Sequence, residues 1–411
     1  MIQLMNRRLR KWLRAPALPA AAKAAREEDA KGLRQRDPGV DAVIREGVAW
    51  LCRAQDNSRT QDGGVARHFS LIDGWGSSYP ETTGYIIPTL LSYARTIKDE
   101  AFARHLRDRA CRMLQWLTSI QLPCGGFQGG TVDQKPVVPV TFNTGQILMG
   151  LAAAVSEFGE TYSPVMARTA DWLVSTQDSD GCWRKYPSPF DAMPGERVYD
   201  AHVAWGLLEA DRVHHNPRYR QAALANIHWA LESQLPNGWF NNCCLRDRAE
   251  PLTHAIGYVL RGVVEAYLVT NDSTLLATAA RTADGLLTAL GPDGFLSGKL
   301  NCNWNGTASW SCLTGTAQIA ICWFLLYRCT GEARYREGAC RANRYLRRTV
   351  SVQGSPDVRG GVKGSFPVGG EYGIYQYLNW GCKFVIDSHL MESSIRSSDA
   401  PVECVADERK G

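Results

Sequence analysis

Apolar positions along this chain fall into two alternating kinds of stretch. The first is amphipathic at helical spacing, with Trp and Leu on one face and Arg, Lys and Glu on the other, as in a helix that covers a core. Four copies begin at a Trp, place a Gln five residues later and then run into a glycine turn. They are Trp50 to Gln55 with Gly63-Gly64, Trp116 to Gln121 with Gly126-Phe127, Trp172 to Gln177 with Gly181-Cys182-Trp183, and Trp229 to Gln234 with Gly238-Trp239. A fifth copy is degenerate at Leu286-Leu287 with Asp293-Gly294-Phe295, and a sixth weaker still at Tyr345-Leu346 with Gly360-Gly361. The second kind is almost continuously apolar and predicts buried helices: Tyr85 to Tyr93, Gln146 to Val155, His202 to Ala210, Tyr258 to Ala266, Gln318 to Tyr327 and Lys383 to Met391.

A repeat of this length is the mark of a stacked architecture. Each unit reads as an outer helix, a glycine turn, a loop and an inner helix. One such hairpin cannot bury its inner helix, but six closed into a ring can, whereas an open superhelix leaves the inner helices half exposed. The expected fold is therefore all-α, an (α/α)6 toroid over residues 41–392 around a central cleft. Residues 393–411, rich in Ser, Asp and Glu, read as a disordered tail.

Aligning the inner stretches places Tyr85, Gln146, His202, Tyr258, Gln318 and Lys383 at one position in six repeats, each preceded by a small residue: Gly84, Gly145, Ala201, Gly257, Ala317 and Cys382. Small residues let neighbouring helices approach. The polar residue beside each must find a partner. In a ring the six converge on the axis near one end, the expected mouth of the cleft.

Composition adds little against this picture. Hydrophobic residues make up 45% and charged residues 21% of the 411, ordinary for a globular chain. The net charge of +5 does not argue for nucleic acid. The thirteen cysteines are scattered, many in apolar stretches, and suit free thiols in a reducing, cytoplasmic setting. No run is long enough to span a bilayer, and no spacing supports a metal site or cofactor. Residues 1–40 stand apart. Arg7, Arg8, Arg10, Lys11 and Arg14 alternate with Leu4, Met5, Leu9, Trp12 and Leu13. Residues 1–14 are either a frayed basic tail or an amphipathic helix in peripheral contact with an anionic membrane.

The Gln and Gly-aromatic turns resemble the repeats of squalene and terpene cyclases and of protein prenyltransferase β subunits. The same toroid frames glycoside hydrolases, polysaccharide lyases and sugar epimerases. Pro80-Glu81-Thr82-Thr83-Gly84-Tyr85, Phe142-Asn143-Thr144-Gly145-Gln146 and Trp310-Ser311-Cys312-Leu313-Thr314-Gly315 are similar to stretches in bacterial proteins of exopolysaccharide and lipopolysaccharide gene clusters. This resemblance covers nearly all of residues 41–392. It implies a carbohydrate-active enzyme of polysaccharide biosynthesis, acting on a glycan or lipid-linked sugar. The cyclase branch lacks its Asp-x-Asp-Asp and Asp-Asp-x-x-Asp motifs here, and the zinc ligands of a prenyltransferase cannot be placed. An isoprenoid enzyme and a non-catalytic glycan-binding assembly protein stand as the alternatives.

Two sugar chemistries suit the residues. Proton abstraction beside a uronate carboxylate, as in a lyase or 5-epimerase, needs a base, an acid and a cation. His202 and His254 fit base and acid, Tyr199 either role, and Arg197 the carboxylate. Glycoside hydrolysis needs two carboxyl groups, for which Glu81 and Asp200 are the best pair. Tyr85, Asn143, Gln146, Tyr258, Trp310, Gln318, Lys363, Tyr375, Asn379 and Lys383 are the expected substrate-binding residues. Each has a blander role available: Asp200 as a helix N-cap, Glu81 as a carboxylate at a helix start, Arg197 in an ion pair. Lys363, in Gly360-Gly361-Val362-Lys363-Gly364-Ser365, lacks P-loop spacing.

Overall fold

The computed structural model describes residues 18–188, 195–244 and 247–399. The basic stretch 1–14 lies outside them. A short helix α1 (Ala20–Ala30) precedes twelve helices that alternate between an outer and an inner layer. The outer ones are α2 (Val40–Asp56), α4 (Glu100–Ile120), α6 (Ser163–Thr176), α8 (Pro217–Leu231), α10 (Ser273–Ala289) and α12 (Ala333–Arg347). The inner ones are α3 (Pro80–Ala94), α5 (Thr141–Phe158), α7 (Ala201–His214), α9 (Thr253–Thr270), α11 (Leu313–Thr330) and α13 (Asn379–Asp399). Each inner helix packs on the next, and α13 packs on α3, so the ring closes as expected. The last inner helix runs to Asp399, past the expected boundary at residue 392.

The hairpins differ from the expected units in one respect. The tight antiparallel partner of each inner helix is the outer helix that follows it, across turns as short as His215-Asn216 or Asn271-Asp272. The sixth pair is made by the chain's two ends, α13 against α2.

The repeat signature is a set of clamps. Gln121 Nε2 donates to the carbonyl of Gly125 (3.1 Å) and to Val165 of the next outer helix (3.0 Å). Gln177 does the same with Gly181 (3.0 Å) and Ala222 (2.9 Å), and Gln55 with Gly63 (2.9 Å) and Arg109 (3.3 Å). These side chains satisfy carbonyls that would otherwise be buried without partners. The following tryptophan lies flat on the turn: a Cβ at Gly64 would sit 2.6 Å from Trp116. The sixth turn meets the first helix in the same way. A Cβ at Gly361 would lie 2.7 Å from Trp50, whose Nε1 donates to the Asp357 carbonyl at 2.7 Å.

The small residues of the inner helices act as expected. A Cβ on Gly150 would stand 2.2 Å from the carbonyl oxygen of Gly84, one on Gly206 2.5 Å from that of Gly145, and one on Gly262 2.2 Å from that of Ala201. Inner helices therefore touch backbone to backbone.

All the inner helices start at the loop end of the ring. There the last long loop folds over the axis. Its strand β5 (Gln376–Leu378) pairs with β1 (His68–Ser70), which also pairs with β2 (Gly74–Trp75), and β3 (Ser311–Cys312) pairs with β4 (Ser365–Phe366). Helix α1 lies on this roof. Buried Asp29 accepts from Lys363 Nζ (2.5 Å) and from Val368 N (2.8 Å), and Ala22 packs on Val368 and Tyr375.

Candidate active site

The six column residues converge on the axis. Tyr85, Gln146, His202, Tyr258, Gln318 and Lys383 are all buried. His202 Nδ1 meets Gln146 Oε1 at 2.6 Å, and His254 Nδ1 meets Gln318 Oε1 at 3.0 Å. An amide oxygen only accepts, so each Nδ1 carries the hydrogen and each Nε2 keeps its lone pair. The Tyr258 ring lies between the two imidazoles, 4.5 Å from each. Phe142 closes one side, 5.0 Å from Tyr258. Lys383 Nζ rests over the Tyr85 ring at 5.2 Å.

Burial sets the protonation of this cluster. His254 is pushed down to about 4 and His202 further below its ordinary value, chiefly because a charged imidazole would lose its water. Both rest neutral. Glu81 is pushed up to about 7 by the same burial, partly opposed by the Tyr79 hydroxyl, which donates to Glu81 Oε2 at 2.7 Å, and by the nearby Arg67. Asn143 lies beside the Tyr79 phenol. The phenols of Tyr258 and Tyr372 both sense the Glu81 charge, which places them in the same cluster.

Among the described residues, Gln146 Nε2, His202 Nε2 and Gln318 Nε2 are buried polar atoms without a protein partner. Each costs about 1–3 kcal/mol if unmet. Water or a bound polar group can meet such atoms.

Other expected site residues are engaged in contacts around or away from this cluster. Arg197 Nε lies 3.3 Å from Asp200 Oδ2, and Arg197 Nη2 donates to the Trp183 carbonyl at 3.0 Å. Both residues are buried, so the pair holds the loop before α7, and Asp200 is not a second free carboxylate beside Glu81. Tyr199 packs edge-on against Phe142 at 5.4 Å. Lys363 is held by Asp29, and Tyr375 faces α1. Trp310 is wedged against Gly298 and Gly370. Asn379 Nδ2 ties the start of α13 to the Ala66 carbonyl (3.0 Å) and Thr82 Oγ1 (2.7 Å). Sequence reasoning missed Arg67, Tyr79 and Tyr372, which lie in irregular loops with no repeat position to single them out.

The cleft also opens differently from expectation. At the loop end the roof covers the cluster, with the Tyr372 ring tilted against His254 at 5.4 Å and its hydroxyl accepting from Trp380 Nε1 at 2.7 Å. The ring is open at its other end. There a cavity of about 530 Å³ reaches down to Tyr85 and Lys383, between Trp205, Arg261, Glu209 and Asp387. Its charges are paired within the wall, Lys383 with Asp387 at 2.7 Å and Arg261 with Glu265 at 2.6 Å. The six-residue column is thus a partition across the ring, because its aromatic rings fill the axis.

No family model matches the sequence, and no curated protein matches it. Solved structures do. An unsaturated glucuronyl hydrolase specific for heparin superposes with a TM-score of 0.69 at 16% identity, covering 87% of this chain and 99% of its own. An unsaturated glucuronyl hydrolase responsible for the degradation of glycosaminoglycan, from Bacillus sp. GL1, gives 0.66 at 15% identity, covering 86% and 96%. A D-mannose isomerase gives 0.67 at 12%, covering 87% and 97%. The fold of this chain is theirs, the (α/α)6 toroid.

Proposed function

We propose that this protein is a carbohydrate-active enzyme that moves a proton on a sugar, as a lyase or epimerase of a uronate-bearing glycan or lipid-linked precursor in bacterial polysaccharide assembly. The observation that carries the chemistry is the pair of neutral histidines, each with Nδ1 fixed by a glutamine and Nε2 left as a base. The toroids it resembles are named as enzymes acting on glucuronyl units and mannose. The biosynthetic setting rests on the three sequence stretches given above.

The step is simple to write. The roof must lift from the loop end to admit a sugar, and the Nε2 lone pair of one histidine then takes the proton from the sugar carbon next to the carboxylate. The electron pair of that C–H bond moves into the carboxyl group as an enolate. A proton returned to the opposite face gives the epimer, while expulsion of the neighbouring ring substituent gives an alkene and a free sugar end. Neutral histidines have no Nε2 proton to give. The acid is therefore Glu81, held partly protonated near neutral pH, rather than the second histidine. Hydrolysis by two carboxyl groups has less support, because Asp200 is committed to Arg197.

The test is solvent deuterium exchange into uronate oligosaccharides, followed by NMR, with the ultraviolet absorbance of an unsaturated uronate as the lyase readout. His202→Gln and His254→Gln are expected to remove at least one exchange step, and Glu81→Gln to slow turnover by 10²–10⁴-fold, the usual worth of a general acid. Binding with no exchange in the unaltered protein overturns the catalytic reading and leaves a glycan-binding assembly protein.

A further inference from the structure

The cations around the axis are nearly all neutralised. Arg197 is paired with Asp200, Lys363 with Asp29, Lys383 with Asp387 and Arg261 with Glu265. Among the described residues Arg67 differs: no carboxylate lies within ion-pair distance of it. Its guanidinium is oriented by weak neutral acceptors, His68 Nδ1 at 3.1 Å and Gln376 Oε1 at 3.4 Å. It lies over the rings of Trp380 at 5.0 Å and Tyr79 at 5.9 Å. Its backbone is pinned from both sides, Arg67 N donating to the Ser77 carbonyl at 2.9 Å and the Arg67 carbonyl accepting from Asn379 N at 3.3 Å. The residue is half-buried, and Tyr79 links it to Glu81.

We infer that Arg67 is the residue that grips the substrate's carboxylate, and that it selects an acidic sugar over a neutral one. This rests on the sugar-enzyme reading above. A planar guanidinium binds a carboxylate through two parallel hydrogen bonds. Aromatic stacking holds the fork while leaving its outer edge free. Helices α3, α5, α7, α9 and α11 all start at this end without a side-chain cap, so the local field also favours an anion. Gripping the carboxylate here also draws electrons toward the group that must hold the enolate charge, close to Glu81.

The test is calorimetry on the full chain with two probes, a glucuronic acid oligosaccharide and its carboxyl-reduced, neutral counterpart. The unaltered protein is expected to prefer the acidic probe at least tenfold. Arg67→Met abolishes that preference by weakening the acidic probe alone. Arg67→Lys, which keeps the charge but not the fork, retains part of it and reports even if the Met variant folds poorly. Full preference in both variants, or equal loss of both probes in Arg67→Lys, overturns the assignment alone. Binding of neither probe by the unaltered protein overturns the sugar-enzyme reading and the assignment with it.

Discussion

In the proposed reaction Glu81 and the two glutamine-held histidines would set opposite limbs of the pH response. That reaction needs Glu81 protonated and the histidines neutral, so kcat/KM is expected to fall above about pH 7 and below about pH 4, following Glu81 and His254. Glu81→Gln removes the upper limb. Stability follows the same groups. The folded state raises the Glu81 pKa, so its contribution is fully present below the unfolded value near 4.5 and is lost as pH rises through about 7. The His254 pKa is lowered, so its contribution is present above about 6.5 and lost as pH falls through about 4. Glu81→Gln is therefore expected to gain stability on the parent at pH 8 relative to pH 4, by about 3 kcal/mol, read from denaturant midpoints. None of these values was legible in the sequence. His202 was visible as a polar residue in an apolar helix, but its neutrality follows from the burial that folding imposes on it and from the cations Arg261 and Lys383 that folding brings near.

Close packing between inner helices depends on particular glycines. Gly150→Ala forces its new methyl against the Gly84 carbonyl, which neither backbone can relieve without separating α3 from α5. A loss of about 1–3 kcal/mol or more is expected, measured by thermal unfolding. Helix α1 docks on the roof through the buried Asp29–Lys363 pair, the Val368 N bond to Asp29 and a small apolar cluster around Ala22. Asp29→Asn leaves Lys363 charged and without its counter-ion, which costs about 3–5 kcal/mol at a buried site. The expected result is faster proteolysis between residues 18 and 31 with the ring intact, seen by limited digestion. The helices and their alternation could be read from periodicity, because an outer helix shows one polar face and an inner helix almost none. The docking of α1 could not, because a single Asp against a lysine 334 positions away leaves no local pattern.

Closure makes the ring one cooperative body. The first and last helices pair, and the sixth glycine turn seats on Trp50 as earlier turns seat on the tryptophans that follow them. Trp50→Ala removes that seat and its buried ring, an expected cost of about 3–5 kcal/mol. Hydrogen exchange should show α2 and α13 losing protection together although they lie at opposite ends of the chain. If α13 stays fully protected while α2 exchanges, closure does not depend on this contact.

The amino-acid sequence by itself determined the all-α class, the six-fold repeat, the inner and outer layers and the axial column, because helical periodicity and a recurring Gln and Gly turn are local patterns. Tertiary structure alone decided which helix partners which, that the column is a partition rather than a mouth, and which charges are spent. Ion pairing is what separated Arg197 from Arg67: they are the same residue type in similar loops. One has Asp200 within 3.3 Å, and the other has no carboxylate within ion-pair distance, its guanidinium held by rings and neutral acceptors.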